Sequence, residues 1–132
     1  MKNFYQKILI HNTAIIPSSI EKRFRDFFRH PKCVEWSKTG DHFEALFFEN
    51  SHEKIARFDQ SGKLLEIRTN QPPLEFAAPE NHPVRAKGDL MNYIQIQSGK
   101  SSFHELIIRK PDLKRILVFL DDRYEIIREE LL

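Results

Sequence analysis

Between Ser18 and Arg29 the apolar residues Ile20, Phe24, Phe27 and Phe28 recur at helical spacing, while Glu21, Lys22, Arg23, Arg25, Asp26 and Arg29 take the positions around them. A stripe of this kind predicts an amphipathic helix with one face turned to a core. Ser18, with Glu21 three residues on, has the arrangement of a capping box, in which the serine accepts from a free backbone N–H and the glutamate reaches back. Pro31 closes the helix, because the residue before a proline is pushed out of the α region.

From Cys33 the period changes to two. Residues 33–38, 42–48, 53–59 and 64–69 read as strands, separated by Thr39-Gly40-Asp41, by a reversal at 49–52, and by Asp59-Gln60-Ser61-Gly62, where Gly62 supplies the positive φ of a tight turn. Pro72, Pro73, Pro79, Pro83 and Gly88 then crowd residues 70–89 too closely for a long helix or a central strand, which predicts a connector with one helical turn. Strand signals return at 90–97, 103–109, 113–120 and 124–129, with turns at Ser98-Gly99-Lys100 and Lys110-Pro111-Asp112. The expected architecture is α+β: an antiparallel β-sheet of two meanders, up to eight strands, with one main helix packed on one face.

The second half echoes the first. Phe58-Asp59 followed by Leu64-Leu65 matches Leu120-Asp121 followed by Ile126-Ile127 at the same spacing, with Tyr124 in the place of Gly62. The organisation read from this is a single domain, 1–132, with a first repeat at 17–70, a connector at 71–89 and a second, divergent repeat at 90–132. The second repeat lacks a helical stripe to match Ile20 to Phe28.

One strand is apolar on both sides. In residues 42–48, Phe43, Ala45 and Phe47 point one way and Leu46 and Phe48 the other, whereas a sheet covered on one face alone should alternate cleanly between apolar and polar. Phe103 and Ile107 against Leu106 and Ile108 repeat the pattern. The second face therefore needs cover, from the connector around Leu74 and Phe76, from a second subunit or from a partner.

Composition narrows the choices. The chain has 132 residues, 40% apolar and 30% charged, and eleven phenylalanines, a supply of flat rings suited to sheet faces. A net charge of +2, evenly scattered, gives no reason to expect nucleic acid. The apolar run Ile8-Leu9-Ile10 stops at His11, short of a signal-peptide core, and no segment approaches the ~20 apolar residues of a membrane span. These features lead to the expectation of a cytoplasmic protein that does not enter membranes.

The candidate chemistry is sparse. His30, His42, His52, His82, His104 and the lone Cys33 have neither helical HxxxH spacing nor a second cysteine, so no metal site and no cofactor is expected. His42 and His104 read as polar residues on a wetter strand face. Cys33 reads as a small buried filler beside Val34. Asp59-Gln60-Ser61-Gly62 lacks the alternating acidic ligands of a calcium loop and reads as a turn, as does Asp121-Asp122. Arg109, Lys110, Lys114 and Arg115 form the densest basic cluster, at a hairpin tip where solvation is sufficient explanation.

Taken in order, Arg29-His30-Pro31 at the helix end, the Val34-Glu35-Trp36 strand, the aromatic strand Phe43-Glu44-Ala45-Leu46-Phe47 and the turn Asp59-Gln60-Ser61-Gly62-Lys63 resemble the β-lactamase-inhibitor-like, PepSY-like family. The likeness covers residues 18–70 well and 90–130 loosely. It implies a tandem helix-plus-meander architecture with a concave sheet face and a binding or inhibitory role rather than a catalytic one. Members of that family usually carry an export signal, which the opening residues of this sequence do not display.

The functional expectation is a non-catalytic binding module, taking a protein partner or a second copy of itself on a sheet face, with Trp36, Leu46 and Phe48 as contact residues. The alternatives are a homodimeric structural or regulatory protein, and a small enzyme with a pocket between sheet and connector that uses His42 or His104 as base.

Overall fold

The computed structural model describes residues 15–132; the start of the chain, with Lys2, Lys7 and the Ile8-Leu9-Ile10 run, lies outside the described residues. The described chain is α+β, with one α-helix and eight antiparallel strands. Its internal contacts fall into two compact units, Met1–Thr69 and Asn70–Leu132.

The first unit contains α1 (Ser18–Phe27), β1 (Lys32–Thr39), β2 (His42–Glu49), β3 (His52–Phe58) and β4 (Leu64–Gln71), whose last two residues belong to the second unit. The capping box does not form. Ser18 is already helical, no side chain bonds at the cap, and the Pro17 carbonyl takes the N–H groups of Ile20 and Glu21 at 3.0 and 3.2 Å. The helix also stops ahead of Pro31: Phe28 is extended at φ −119°, with its N–H still bonded to the Phe24 carbonyl at 3.0 Å.

Each strand of this unit pairs antiparallel with the next, so residues directly opposite share a face. Trp36, Ala45, Ala56 and Ile67 form one row, and Lys38, Phe43, Phe58 and Leu64 its neighbour. These rows face α1, where Ile20, Phe24 and Phe28 close a core with Phe43, Ala45, Phe47, Ala56 and Phe58. Phe24 is fully buried, its ring meeting Phe47 edge-on at 4.9 Å, Trp36 edge-on at 5.2 Å and Phe28 at 5.3 Å. Phe27, expected in the stripe, is exposed.

The second unit opens with two 3-10 turns, Pro73–Glu75 and Pro83–Lys87, and continues with β5 (Asp89–Ser98), β6 (Ser101–Arg109), β7 (Arg115–Leu120) and β8 (Ile126–Leu131), again each antiparallel to the next. The single helical turn expected in the connector is thus two tighter ones, each with a proline in its first turn, where a missing N–H costs nothing. Phe76, Ala78 and Val84 from this segment are buried against Tyr93, Leu106, Ile108, Val118 and Leu120. The connector therefore does for the strands of this unit what α1 does for those of the first.

Three hairpin turns share one geometry. At 59–63, 110–114 and 121–125 the first N–H bonds the fifth carbonyl (3.0, 2.8 and 3.0 Å), and the fourth N–H bonds the first carbonyl (3.1, 2.9 and 3.0 Å). The fourth residue has positive φ in each: Gly62 at 87°, Leu113 at 70° and Tyr124 at 65°. This turn explains two boundary differences from the sequence reading. Leu113 and Tyr124, expected inside strands, lie in turns, so β7 starts at Arg115 and β8 at Ile126.

Candidate functional site

The face of the first unit away from α1 carries a mixture of apolar and charged side chains. By register, Glu35, Leu46, Ile55 and Arg68 make one row, and Ser37, Glu44, Arg57 and Glu66 the next. Phe48 continues the face beyond Leu46. Glu66 sits between two guanidinium groups, with Arg68 Nε at 2.6 Å from Oε1 and Arg57 Nη2 at 3.0 Å from Oε2. Glu44, Glu66 and Arg68 are all buried, which charged groups tolerate only when paired and hydrogen-bonded. Arg57 Nε is also buried and has no hydrogen-bond partner among the described residues.

Of the three expected contact residues, the structure brings Leu46 and Phe48 together and separates them from Trp36. Leu46 is half-buried and Phe48 is 41% exposed. Trp36 lies on the opposite face, packed against the helix-side cluster. Of the connector residues expected as cover, Leu74 is exposed and Phe76 is buried within the second unit.

In the second unit the face away from the connector holds Ile96 opposite Phe103, the row Ile94, Glu105, Phe119 and Arg128, and the row Asn92, Ile107, Leu117 and Glu130. Phe103 and Phe119 stack at 5.4 Å, and the Arg128 guanidinium lies 5.4 Å from the Phe119 ring centre, within cation–π range.

His104 departs from its expected place on a wet face. It is buried, its ring stacked on Tyr124 at 4.8 Å and approached by Phe76 at 6.0 Å, with the Tyr93 hydroxyl 2.7 Å from Nδ1. Burial pushes the histidine below its usual range, against the opposing pull of Asp121 and Asp122. Burial, with Tyr124 adding to it, pushes the Tyr93 hydroxyl up to about 12. With the phenol protonated and the imidazole neutral, Tyr93 donates to His104 Nδ1 in the tautomer that carries its proton on Nε2. Sequence spacing missed this pair because its partners meet only through the β5–β6 register.

Cys33, expected as a buried filler, is exposed and has positive φ (54°) at an irregularity in the β1–β2 register between Lys32 and Glu35. Alternation breaks there, so the side chain leaves the sheet. Asp59 and Asp121 act in their turns: Asp59 Oδ1 accepts from the N–H groups of Ser61 and Lys63 at 2.9 and 3.0 Å, and Asp121 Oδ1 from Arg123 and Glu125 at 2.9 Å each. In the basic cluster Arg109 reaches Asp89 at 3.4 Å and Lys110 reaches Asp112 at 4.0 Å. Between connector and sheet in the second unit lies a cavity of about 190 Å³ lined by Phe76, Val84, Arg85, Leu90, Leu106 and Ile108, with no histidine in its wall. Among the described residues no three His, Cys, Asp or Glu side chains are grouped to hold a metal ion, and no helix is long and apolar enough to cross a membrane.

No family model and no curated protein matches the chain. Solved structures do. A DUF2874 family protein from Bacteroides uniformis is 20% identical with a TM-score of 0.73, the match covering 89% of this chain and 90% of that one. A BLIP-like protein from Bacteroides fragilis is 11% identical with a TM-score of 0.77, over 92% and 89%. A protein from Bacteroides eggerthii assigned by inference to the periplasm is 16% identical with a TM-score of 0.73, over 89% and 90%. The last of these overturns the expectation of a cytoplasmic protein, which rested on the absence of a leader-like run; a leader is a separable segment, and the fold it accompanies keeps no trace of it. At these identities the likeness is one of fold, and the fold this chain shares is the BLIP-like one.

Proposed function

We propose that this chain is a non-catalytic protein-binding module that holds its partner on the sheet face away from α1, with Leu46 and Phe48 as contact residues. The observation that carries the reading is the division of β2. Phe43, Ala45 and Phe47 pack beneath the helix, while Leu46 and Phe48 stand on the other face and Phe48 keeps 41% of its surface. An exposed aromatic ring in a frame of paired charges has the make-up of an interface anchor with a polar surround. Arg57 Nε supports the reading as a donor awaiting an acceptor. The BLIP-like neighbour supports it through its fold. A tandem-repeat origin belongs to the same proposal, supported by the matching Asp59 and Asp121 turns.

A photo-crosslinking residue at Phe48 tests the reading in cells that make the protein. The expected result is a discrete adduct with another protein that is absent when the crosslinker replaces the exposed Leu74 and that Phe48→Glu competes poorly against. Identical labelling from both positions would defeat the proposed face.

A further inference from the structure

Strand β8 has β7 on one side and, among the described residues, no strand on the other. All six of its residues are exposed, and Ile126, Ile127, Leu131 and the adjoining Leu132 form an apolar border around Arg128, Glu129 and Glu130.

The ladder with β7 decides which backbone groups point outward. Leu132 N–H donates to the Arg115 carbonyl at 2.9 Å, and the register continues Ile116 with Leu131, Leu117 with Glu130, Val118 with Glu129 and Phe119 with Arg128. Bonded and non-bonded pairs alternate along an antiparallel ladder. Glu130 and Arg128 therefore bond inward to β7, whereas Leu131 and Glu129 turn their N–H and C=O groups away from it.

We propose that β8 is a self-pairing edge, on which two copies of this chain join antiparallel with Glu129 opposite its own counterpart. In that register Arg128 faces the second copy's Glu130, Ile127 faces its Leu131 and Ile126 its Leu132. The outward groups of Glu129 and Leu131 fall at the bonded positions, as the alternation requires. The Arg128–Glu130 pairs fall at the non-bonded positions, where opposing side chains approach most closely. Arg128 Nε already lies 3.1 Å from Glu130 Oε1 within the strand, so pairing closes a ring of four alternating charges. The two Glu129 carboxylates that meet at the axis are each held by Lys87 Nζ at 2.7 Å. Charges on an edge ordinarily keep strands apart; an order that is complementary to its own reversal admits an identical chain and few others. The register irregularity between Phe119 and Leu120 bends the strand at its start and confines pairing to residues 126–132.

This edge and the face on which Leu46 and Phe48 stand belong to different strands of different units, so either reading can fail alone. Sedimentation equilibrium of the full chain is expected to show a monomer–dimer equilibrium. R128E and E130R each set like charges opposite one another and should weaken the dimer at least about tenfold. An equimolar mixture of the two variants restores opposite charges across the axis and should recover the dimer, while Phe48→Glu should leave it unchanged; circular dichroism melts confirm that each variant is folded. A strict monomer, a dimer insensitive to both substitutions, a mixture that does not recover, or a dimer abolished by Phe48→Glu would each overturn the proposal, as would capture of the edge by a strand of another protein while this chain stays monomeric.

Discussion

Gly62, Leu113 and Tyr124 occupy the same position in three like turns, yet only the first is the residue the geometry favours. A side chain in the left-handed region brings Cβ too near the following carbonyl, at a cost of roughly 1–2 kcal/mol. Tyr124 has compensation, since its ring stacks on His104 and its carbonyl accepts from His82 Nε2 at 2.7 Å. Leu113 has none of comparable kind: its side chain is 73% exposed. Leu113→Gly should therefore stabilise the protein by about 0.5–1 kcal/mol, the relief of strain less the extra entropy of the unfolded glycine. Urea denaturation reads the change as a higher midpoint at unchanged slope. An unchanged or lower midpoint would show that the leucine makes up its backbone cost elsewhere.

At the scale of elements the connector is the least expected part. Proline density correctly ruled out a long helix, but proline says nothing about burial, and Phe76, Ala78 and Val84 supply three of the eight buried residues of a core. Arg85 explains how so irregular a segment is held. Its Nε donates to the carbonyls of Ala78 and Pro79 at 3.1 Å each, its Nη2 to those of Phe76 and Ala78 at 3.0 and 2.5 Å, and its plane lies over the Phe76 ring at 5.2 Å. One guanidinium thus satisfies backbone acceptors that an α-helix would have satisfied internally. Arg85→Ala leaves those carbonyls without a donor and should cost about 2–3 kcal/mol. Arg85→Lys, a point charge in place of a planar fork, should recover only part of it. Denaturation midpoints and hydrogen exchange of the connector amides measure both; full recovery by lysine would show that charge, rather than the fork, is what the segment needs.

Across the whole chain, what was legible in the sequence was whatever local chemistry dictates. Among the described residues the eight strands and the helix were found because period-two alternation, glycine turns and an apolar stripe are written in neighbouring residues, and the two faces of β2 follow from the pleat alone. What was missed depends on residues distant in sequence: the surroundings of His104, whose contacts Phe76, Tyr93 and Tyr124 come from three separate segments. Trp36, named as a contact residue beside its alternative as a core residue in line with Val34, packs on the helix side against Phe24. The buried histidine gives stability a definite pH dependence. Its folded pKa is depressed by burial, against the opposing effect of Asp121 and Asp122, so below the unfolded value of about 6.5 the unfolded chain binds more protons than the folded one. The contribution is fully present above that pH and is lost as pH falls through it towards the folded pKa. Thermal melts taken from about pH 7 down to pH 5 should show a steeper loss of Tm for the native chain than for His104→Gln, which keeps an acceptor for Tyr93 and removes the titration. Parallel profiles would mean that His104 accepts its proton in place, with the Tyr93 hydroxyl turning to receive it.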